Sequence, residues 1–266
     1  MNIVVLVKQV PDVSKVKIDP ITNTLIRVGV PNIINPDDAA ALEEALKIKD
    51  SKGAKVVTVT MGPPQAEGMI RHLYALGVDT AYLLTDRKFA GSDTLATSTI
   101  ISEFLKKLNK RMHIDLILAG YQAIDGDTAQ VGPQIAELLD IPQITHIKEI
   151  KKITASSVTV YKELNNDCIT YNVALPALLT CISNMNTPRY MNAFNIWGAY
   201  EKPFNTVTFA QLNVDETKIG LAGSPTNVKR TFTKQAVVKA PATSLSPLEA
   251  TSKILEVIKD YVGGNK

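Results

Sequence analysis

The chain has 266 residues, 45% hydrophobic and 21% charged, and its 29 Lys and Arg against 26 Asp and Glu leave a formal charge of +3. That charge is too small to suggest nucleic acid, and an aromatic fraction of 6% offers few platforms for stacking on single strands. The length suits one large or two small domains with a sizeable core, and no stretch approaches the roughly 18 apolar residues of a membrane span.

Cys168 and Cys181 form neither a C-x-x-C pair nor part of a Cys/His cluster, which argues against structural zinc, a redox dithiol or a disulfide framework. The opening MNIVVLVKQVPD is an apolar run ended by Lys8, too short for a signal-peptide core. The expectation is a protein of the reducing cytoplasm, neither exported by a standard signal nor membrane-spanning.

In chain order, apolar runs rich in β-branched residues stand at Ile3 to Val7, Val56 to Thr60, Ala81 to Leu84 and Leu116 to Ala119. Each is bounded by polar or Gly/Pro positions, as buried parallel strands are. Helical spacing fills the gaps, through Ala39, Leu42, Ala45 and Leu46, then Met69, Ile70, Leu73 and Leu76, then Leu95, Ile100, Ile101, Phe104, Leu105 and Leu108. Strand and helix alternate, which predicts an α/β fold: an open, mostly parallel sheet with helices on both faces and ligands beyond the carboxyl ends of the strands. Asn35 is placed to cap the first helix, with Pro36 at N1, Asp38 at N3 and Gly53 as the stop.

After Ile144 the pattern alternates, through Val158, Val160 and Lys162 and then Ile169, Tyr171 and Val173, across a polar turn at Asn165 to Asp167. This predicts an antiparallel hairpin added to the sheet. Pro203 to Pro247 shows no sustained helical period and reads as an extended arm, and an arm of that length points to a partner subunit. It ends in a capping box, Ser246-Pro247-Leu248-Glu249, followed by a C-terminal helix through Ile254, Leu255, Val257 and Ile258. The predicted division is a nucleotide- or flavin-binding domain over residues 1–202 and a partner-binding arm over residues 203–266.

No catalytic set is visible. His72, His113 and His146 lie far apart, none beside a nucleophile motif, and no metal-ligand or paired-carboxylate pattern stands out. Walker A is absent, as is G-x-G-x-x-G after the first strand, so any nucleotide is held differently.

The segment AGYQAIDGDTAQVGPQIAELL from Ala119 follows the fourth predicted strand and turns helical. Gly126 and Gly132 permit close backbone approach, and small Thr128 and Ala129 leave amides open to a phosphate favoured by the helix dipole. Asp125 and Asp127 would repel a phosphate, so they are expected to accept bonds from loop amides or a ribose hydroxyl. A tight turn with an Asp or Thr cap is the alternative. FAGSDTLATS from Phe89 offers Ser92, Asp93, Thr94, Thr97 and Ser98 either to a polar ring edge or ribityl chain, or merely as a cap with buried threonines. Met61, Gly62-Pro63-Pro64 and Asn35-Pro36-Asp37-Asp38 complete a rim of strand ends. Asn184 to Tyr190 is either a plain loop or a docking segment with flexible Met185 at its tip.

With these motifs in order, the chain resembles the β subunit of electron-transfer flavoproteins. VKQVPD at Val7, NPDDAAALEEALKIKD at Asn35, MGPP at Met61, IRHLYALGVDTAYLL at Ile70, GYQAIDGDTAQVGPQIAE at Gly120, NTPRY at Asn186 and GLAGSPT at Gly220 carry the resemblance over almost the whole chain. It implies an adenine-nucleotide α-hydrolase-like fold and a heterodimer. In such a heterodimer the α subunit holds an FAD, while the β subunit binds FAD or, alternatively, structural AMP and wraps an arm around its partner. FAGSDTLATS is similar to segments that contact the β-subunit FAD in electron-bifurcating members.

The resemblance then implies that FAD here accepts a hydride from NADH. The electrons divide between ferredoxin or flavodoxin and, through the α-subunit FAD, a flavin-dependent dehydrogenase of acyl-CoA or hydroxy-acid type. By the same resemblance Leu6 lies beneath the adenine. Asn35 and Met61, with Asp125, Gly126, Asp127, Thr128, Ala129, Gln130, Val131, Gly132, Pro133 and Gln134, hold the adenosine and phosphates. Thr94 and Thr97 meet the flavin or its chain, and Asp37, Asp93 and Gln122 complete the cofactor-binding set. The chain departs from the family pattern at Asn165, Asn166 and Cys168 in the hairpin, and at Met185 with Asn186-Thr187-Pro188, where respiratory relatives carry leucine and Asn-Glu-Pro.

Overall fold

The computed structural model describes residues 1–12, 17–18, 25–26, 31–164, 167–227 and 243–262. The chain begins with β1 (Asn2–Leu6), followed by β2 (Gln9–Pro11), β3 (Lys17–Ile18), β4 (Leu25–Ile26) and β5 (Asn32–Ile34), which form two small antiparallel ladders, β2 with β5 and β3 with β4. Then come α1 (Pro36–Lys52), β6 (Lys55–Met61), α2 (Glu67–Leu76), β7 (Thr80–Leu84), α3 (Thr94–Asn109), β8 (Leu116–Gly120) and α4 (Val131–Leu139). The remainder supplies β9 (Gln143–Ile147), β10 (Glu149–Ile153), β11 (Ser157–Leu164), β12 (Asp167–Ala174), β13 (Ala177–Cys181), α5 (Ala193–Ala199), β14 (Asn205–Val207), α6 (Gly220–Gly223) and α7 (Pro247–Val262).

Seven strands make one sheet in the order β14-β7-β6-β1-β8-β13-β9, with every neighbouring pair parallel. Because successive side chains of a strand point to opposite faces, Ile3 and Val5 of β1 join a core with Leu42, Leu46 and Leu73 of α1 and α2. Val4 and Leu6 join the opposite core, with Ile100 and Leu105 of α3 and Ile135 of α4. Both faces are covered, which is why the strands read as nearly continuous apolar runs. From β1 the chain moves outward through β6 and β7, then returns to place β8 on the other side of β1. The topological switch point therefore lies between β1 and β8, where open α/β sheets part their loops for ligands.

The open parallel sheet agrees with expectation, and so do the hairpin and the C-terminal helix. β11 and β12 pair in continuous antiparallel register, but they join β10 in a separate three-stranded sheet and make no pairing with the main one. Asn165 and Asn166 of the predicted turn lie outside the described residues.

Gly53 ends α1 in the left-handed region at φ 66°, its N–H bonded to Lys49 O. Ser246 and Glu249 form the capping box of α7, with Ser246 N and Oγ both donating to Glu249 Oε2, at 2.9 and 2.6 Å. Residues 1–230 and 231–266 are two compact units. The first part of the segment read as an arm belongs with the α/β unit, since Asn205–Val207 extends the sheet alongside β7.

Candidate functional site

At the switch point, beyond the carboxyl ends of β1, β6 and β8, lies a cleft of about 420 Å³, within the usual size range of small-molecule sites. Its apolar wall includes Leu6, Val59, Met61, Phe89, Ile101 and Ala119, and its polar side is supplied by Lys8, Ser92 to Thr94, Thr97, Gln122, Gly126 and the stretch from Thr128 to Gly132.

The N-terminus of α1 anchors that loop. Fully buried Asn35 does not cap its helix with its side chain. It reaches across instead, donating Nδ2–H to Gln122 O at 2.8 Å and accepting Ile124 N–H on Oδ1 at 3.1 Å. A buried amide satisfied on both ends fixes position well. Asp37 accepts Gln122 N–H at 3.2 Å and Ser183 N–H at 2.8 Å. Asp38 accepts Lys8 N–H at 2.7 Å and Gly120 N–H at 2.9 Å, so one carboxylate ties the ends of β1 and β8 together. Burial pushes the Asp38 carboxyl up to about 7, against the opposing pull of its donors on Lys8, Asn35 and Gly120.

The loop itself is strained. Asp127 and Ala129 hold left-handed φ of 49° and 54°, a conformation that costs a residue with a Cβ about 1–2 kcal/mol. The stretch from Thr128 to Gly132 lines the cleft. Among the described residues, the N–H groups of Thr128, Ala129, Gln130, Val131 and Gly132 have no protein acceptor, and they sit at the positive end of α4. Open amides at a helix N-terminus are an arrangement that suits an anion such as phosphate. Gly132 is required for another reason: a Cβ there would come 2.8 Å from Thr180 Cγ2 on β13. Gly126 also lines the cleft, and a Cβ there would meet no protein atom within 4 Å.

The acidic side chains do not accept from loop amides, the first of the two partners expected for them. Asp125 pairs with Lys8 Nζ at 2.8 Å, and Asp127 accepts Gln122 Nε2–H at 3.2 Å, neither bonding a loop amide. An ammonium and a carboxamide take those places.

Opposite the loop, Asp93 caps α3 by accepting Ala96 N–H, and its second oxygen accepts the N–H and hydroxyl of Thr226. Burial works to raise its pKa, but these donors outweigh it and hold the carboxyl below its ordinary range. Thr94 donates to Gln130 Oε1 at 2.9 Å, bridging α3 to the loop, and buried Ser98 donates to Gln134 Oε1 at 2.9 Å.

Of the residues singled out in the sequence, the structure brings Leu6, Met61, Asp93, Thr94, Thr97, Gln122, Gly126 and Thr128 to Gly132 to the cleft wall. Asn35, Asp37, Asp125, Asp127, Pro133 and Gln134 stand behind it. Lys8, Asp38, Phe89 and Tyr121 line the cleft without having been singled out as ligands. Tyr121 meets the edge of His146 at 4.9 Å. Only position signals these four, each being within a few residues of a strand end.

Met185 is partly buried against the core and is not an exposed tip. The most exposed apolar groups of its neighbourhood are Tyr190, Phe194, Trp197 and Tyr200. Among the described residues no group of His, Cys, Asp and Glu could hold a metal ion, and no helix is long and apolar enough to cross a membrane.

Comparison with known proteins accords with this architecture. The electron transfer flavoprotein domain matches residues 22–212. The chain is 46% identical over 260 residues to electron transfer flavoprotein subunit beta of Clostridium acetobutylicum, covering 98% of each chain. It is 49% identical over 237 residues to the caffeyl-CoA reductase-Etf complex subunit CarD of Acetobacterium woodii, covering 89% of each. It is 48% identical over 239 residues to the acryloyl-CoA reductase electron transfer subunit gamma of Anaerotignum propionicum, covering 88% of each. The chain therefore belongs to the β-subunit family of electron transfer flavoproteins.

Proposed function

We propose that this chain is the small subunit of a cytoplasmic electron-transfer heterodimer and that its switch-point cleft holds FAD. The observation that carries the reading is the row of open amides from Thr128 to Gly132 at the start of α4, beside an apolar wall that includes Leu6 and Met61. Backbone donors suit a pyrophosphate, and the apolar wall suits an adenine or a flavin ring.

Bound FAD would supply hydride acceptance from NADH and single-electron transfer, on one route to ferredoxin or flavodoxin and on the other through the α-subunit FAD to a partner dehydrogenase. The chain's own contribution is to bind, orient and shield. Amides 128–132 would hold the phosphates, Leu6 and Met61 would pack on the adenine, and Thr97 with Thr94 would meet the flavin end. Asn35, Asp37 and Asp38 keep the loop in place from behind. Two relatives named for reductases of caffeyl-CoA and acryloyl-CoA favour an acyl-CoA dehydrogenase over a hydroxy-acid one. Residues 203–266 would supply the contact with the α subunit, which fits the exposed apolar row Leu248, Ile254, Leu255, Val257 and Ile258 on α7.

A specific observation favours a second reading, in which the cleft holds AMP and the subunit is a plain electron carrier. The Thr94 hydroxyl is already bonded to Gln130, and both Asp93 oxygens are taken by Ala96 and Thr226, so Thr94 and Asp93 at the flavin end are engaged within the protein. Cofactor content decides between the two. The chain is co-purified with its α subunit, ligands are released by heat, and FAD and AMP are counted per heterodimer. Two FAD and no AMP is the expected result; one of each selects the simple carrier.

A further inference from the structure

We infer that Asp37 is a positioning residue whose carboxylate links the cleft loop to the 183–190 segment, so that a nucleotide in the cleft orders that segment. The inference rests on the reading of the cleft as a nucleotide site.

The geometry is a two-sided bridge. Asp37 does not line the cleft; its Oδ2 accepts Gln122 N–H at 3.2 Å and its Oδ1 accepts Ser183 N–H at 2.8 Å. Gln122 opens the loop that carries the free amides, and Ser183 opens the segment that carries Met185 and Tyr190. The rest of that segment lies along the same helix. Asn186 Nδ2 donates to Ala40 O and Glu44 Oε1, at 2.9 and 2.8 Å. Arg189 makes three bonds to the carboxylate of Glu43 and a further one to Asp50. The charge-assisted bonds to Glu43, before those to Asp50, hold the guanidinium above its ordinary range.

Thus α1 is fastened to the cleft loop at its first turn and to the 183–190 segment over its length, and among the described residues Asp37 is the one side chain bonded to both. Ordering the loop with a ligand strengthens the Gln122 side of the bridge. The same carboxylate is then held in place for Ser183, which passes part of the ordering on.

The test is amide hydrogen exchange on the full chain in complex with its α subunit, stripped of nucleotide and then with AMP or FAD added. The expected result is protection of residues 121–132 together with protection of 183–190, the latter by about 5-fold or more, the lower end for coupled sites. In Asp37→Asn, whose amide oxygen can accept only at one end of the bridge, protection of 183–190 is lost while nucleotide still protects 121–132.

A second variant removes the donor and leaves Asp37 intact. Ser183→Pro deletes the N–H, and Ile182 before it is already extended at φ −108°, ψ 147°, as a residue preceding proline prefers. It should uncouple the segments in the same way. Protection of 121–132 without any change at 183–190 in the unmodified protein overturns the inference and leaves the nucleotide reading standing. Persistence of the 183–190 response in either variant overturns it too. No protection at 121–132 overturns the nucleotide reading itself.

Discussion

Gly120 N–H donates at 2.9 Å to Oδ1 of Asp38, and the Cβ of any larger residue at position 120 would overlap that same oxygen. The buried carboxylate and the bare backbone at the end of β8 are therefore one fitted unit, and the glycines around the cleft differ sharply in what they tolerate. Gly120→Ala must displace Asp38 from the amides of Lys8 and Gly120, and is expected to cost about 3 kcal/mol. Gly132→Ala meets Thr180 Cγ2 at 2.8 Å and should cost roughly 1–2 kcal/mol, reduced when Thr180→Ser removes that methyl group. Gly126→Ala, with nothing within 4 Å, should stay within about 0.5 kcal/mol of the parent protein. Denaturant unfolding of the three variants checks the order, and an equal cost at 126 and 120 would refute it.

The same carboxylate predicts a pH dependence. Asp38 is protonated in the folded chain up to about 7, because burial disfavours its charge, and in the unfolded chain only up to its ordinary 3.8. Between those values the folded state holds a proton that the unfolded state has lost. Its contribution to stability therefore declines as pH rises from about 4 to about 7 and is constant above. The ceiling is on the order of 4 kcal/mol. Asp38→Asn carries no such proton, so the difference in unfolding free energy between parent and variant should slope through that window and flatten above it. A difference independent of pH would mean that Asp38 is ionised throughout.

Lys8 and Asp125 give a contrasting electrostatic case. Their side chains are 48% and 34% exposed at a separation of 2.8 Å, so the pair is screened by solvent and worth at most about 1 kcal/mol. Asp125→Asn should lower stability by no more than that, and the loss should vanish in ~1 M salt, where the Debye length is ~3 Å. Thermal unfolding at low and high salt checks this; a large, salt-resistant loss would show the pair to be held far more rigidly than its exposure implies.

Much of the fold was legible because its signals are local and periodic. The runs at Ile3, Val56, Ala81 and Leu116 are bounded by polar residues, and Asn35-Pro36 and Gly53 punctuate the first helix at the observed ends. β14 was not legible, because three residues carry no period and its place beside β7 is set by tertiary pairing. At the site, turn formers and small residues located the loop, but not where its carboxylates point. Asp125 and Asp127 take the side chains of Lys8 and Gln122 as partners, and Ala129 adopts a left-handed backbone that its residue type does not announce. Asn35 looked like a helix cap and is instead a clamp on residues 89 positions away in the chain, at Ile124.

Thr94 and Thr97 offer a direct test of the flavin end of the cleft. In the folded chain the Thr94 hydroxyl donates to Gln130, so Thr94→Val removes one hydrogen bond worth about 1 kcal/mol and leaves the helix cap at Asp93 intact. The double variant Thr94→Val, Thr97→Val is expected to form the heterodimer normally and to retain less FAD on this subunit, read as the flavin-to-protein ratio after gel filtration. An unchanged ratio would remove both hydroxyls from flavin binding.

Truncation tests the C-terminal unit. Residues 231–266 form a compact unit of their own, whereas a cut at residue 203 would also remove β14 and strip an edge strand from the sheet. The informative deletion is therefore 231–266. Because α7 exposes Leu248, Ile254, Leu255, Val257 and Ile258, burying them on a partner would contribute about 1.5–3 kcal/mol per fully covered side chain, before the cost of association. The truncated chain should unfold within a few degrees of the full chain, since its core residues all precede the cut, but it should no longer co-purify with the α subunit. A stable heterodimer after truncation would move the subunit contact elsewhere, to the exposed aromatic surface of Tyr190, Phe194 and Trp197. In that case Trp197, the single tryptophan of the chain, would report association by a shift in its fluorescence.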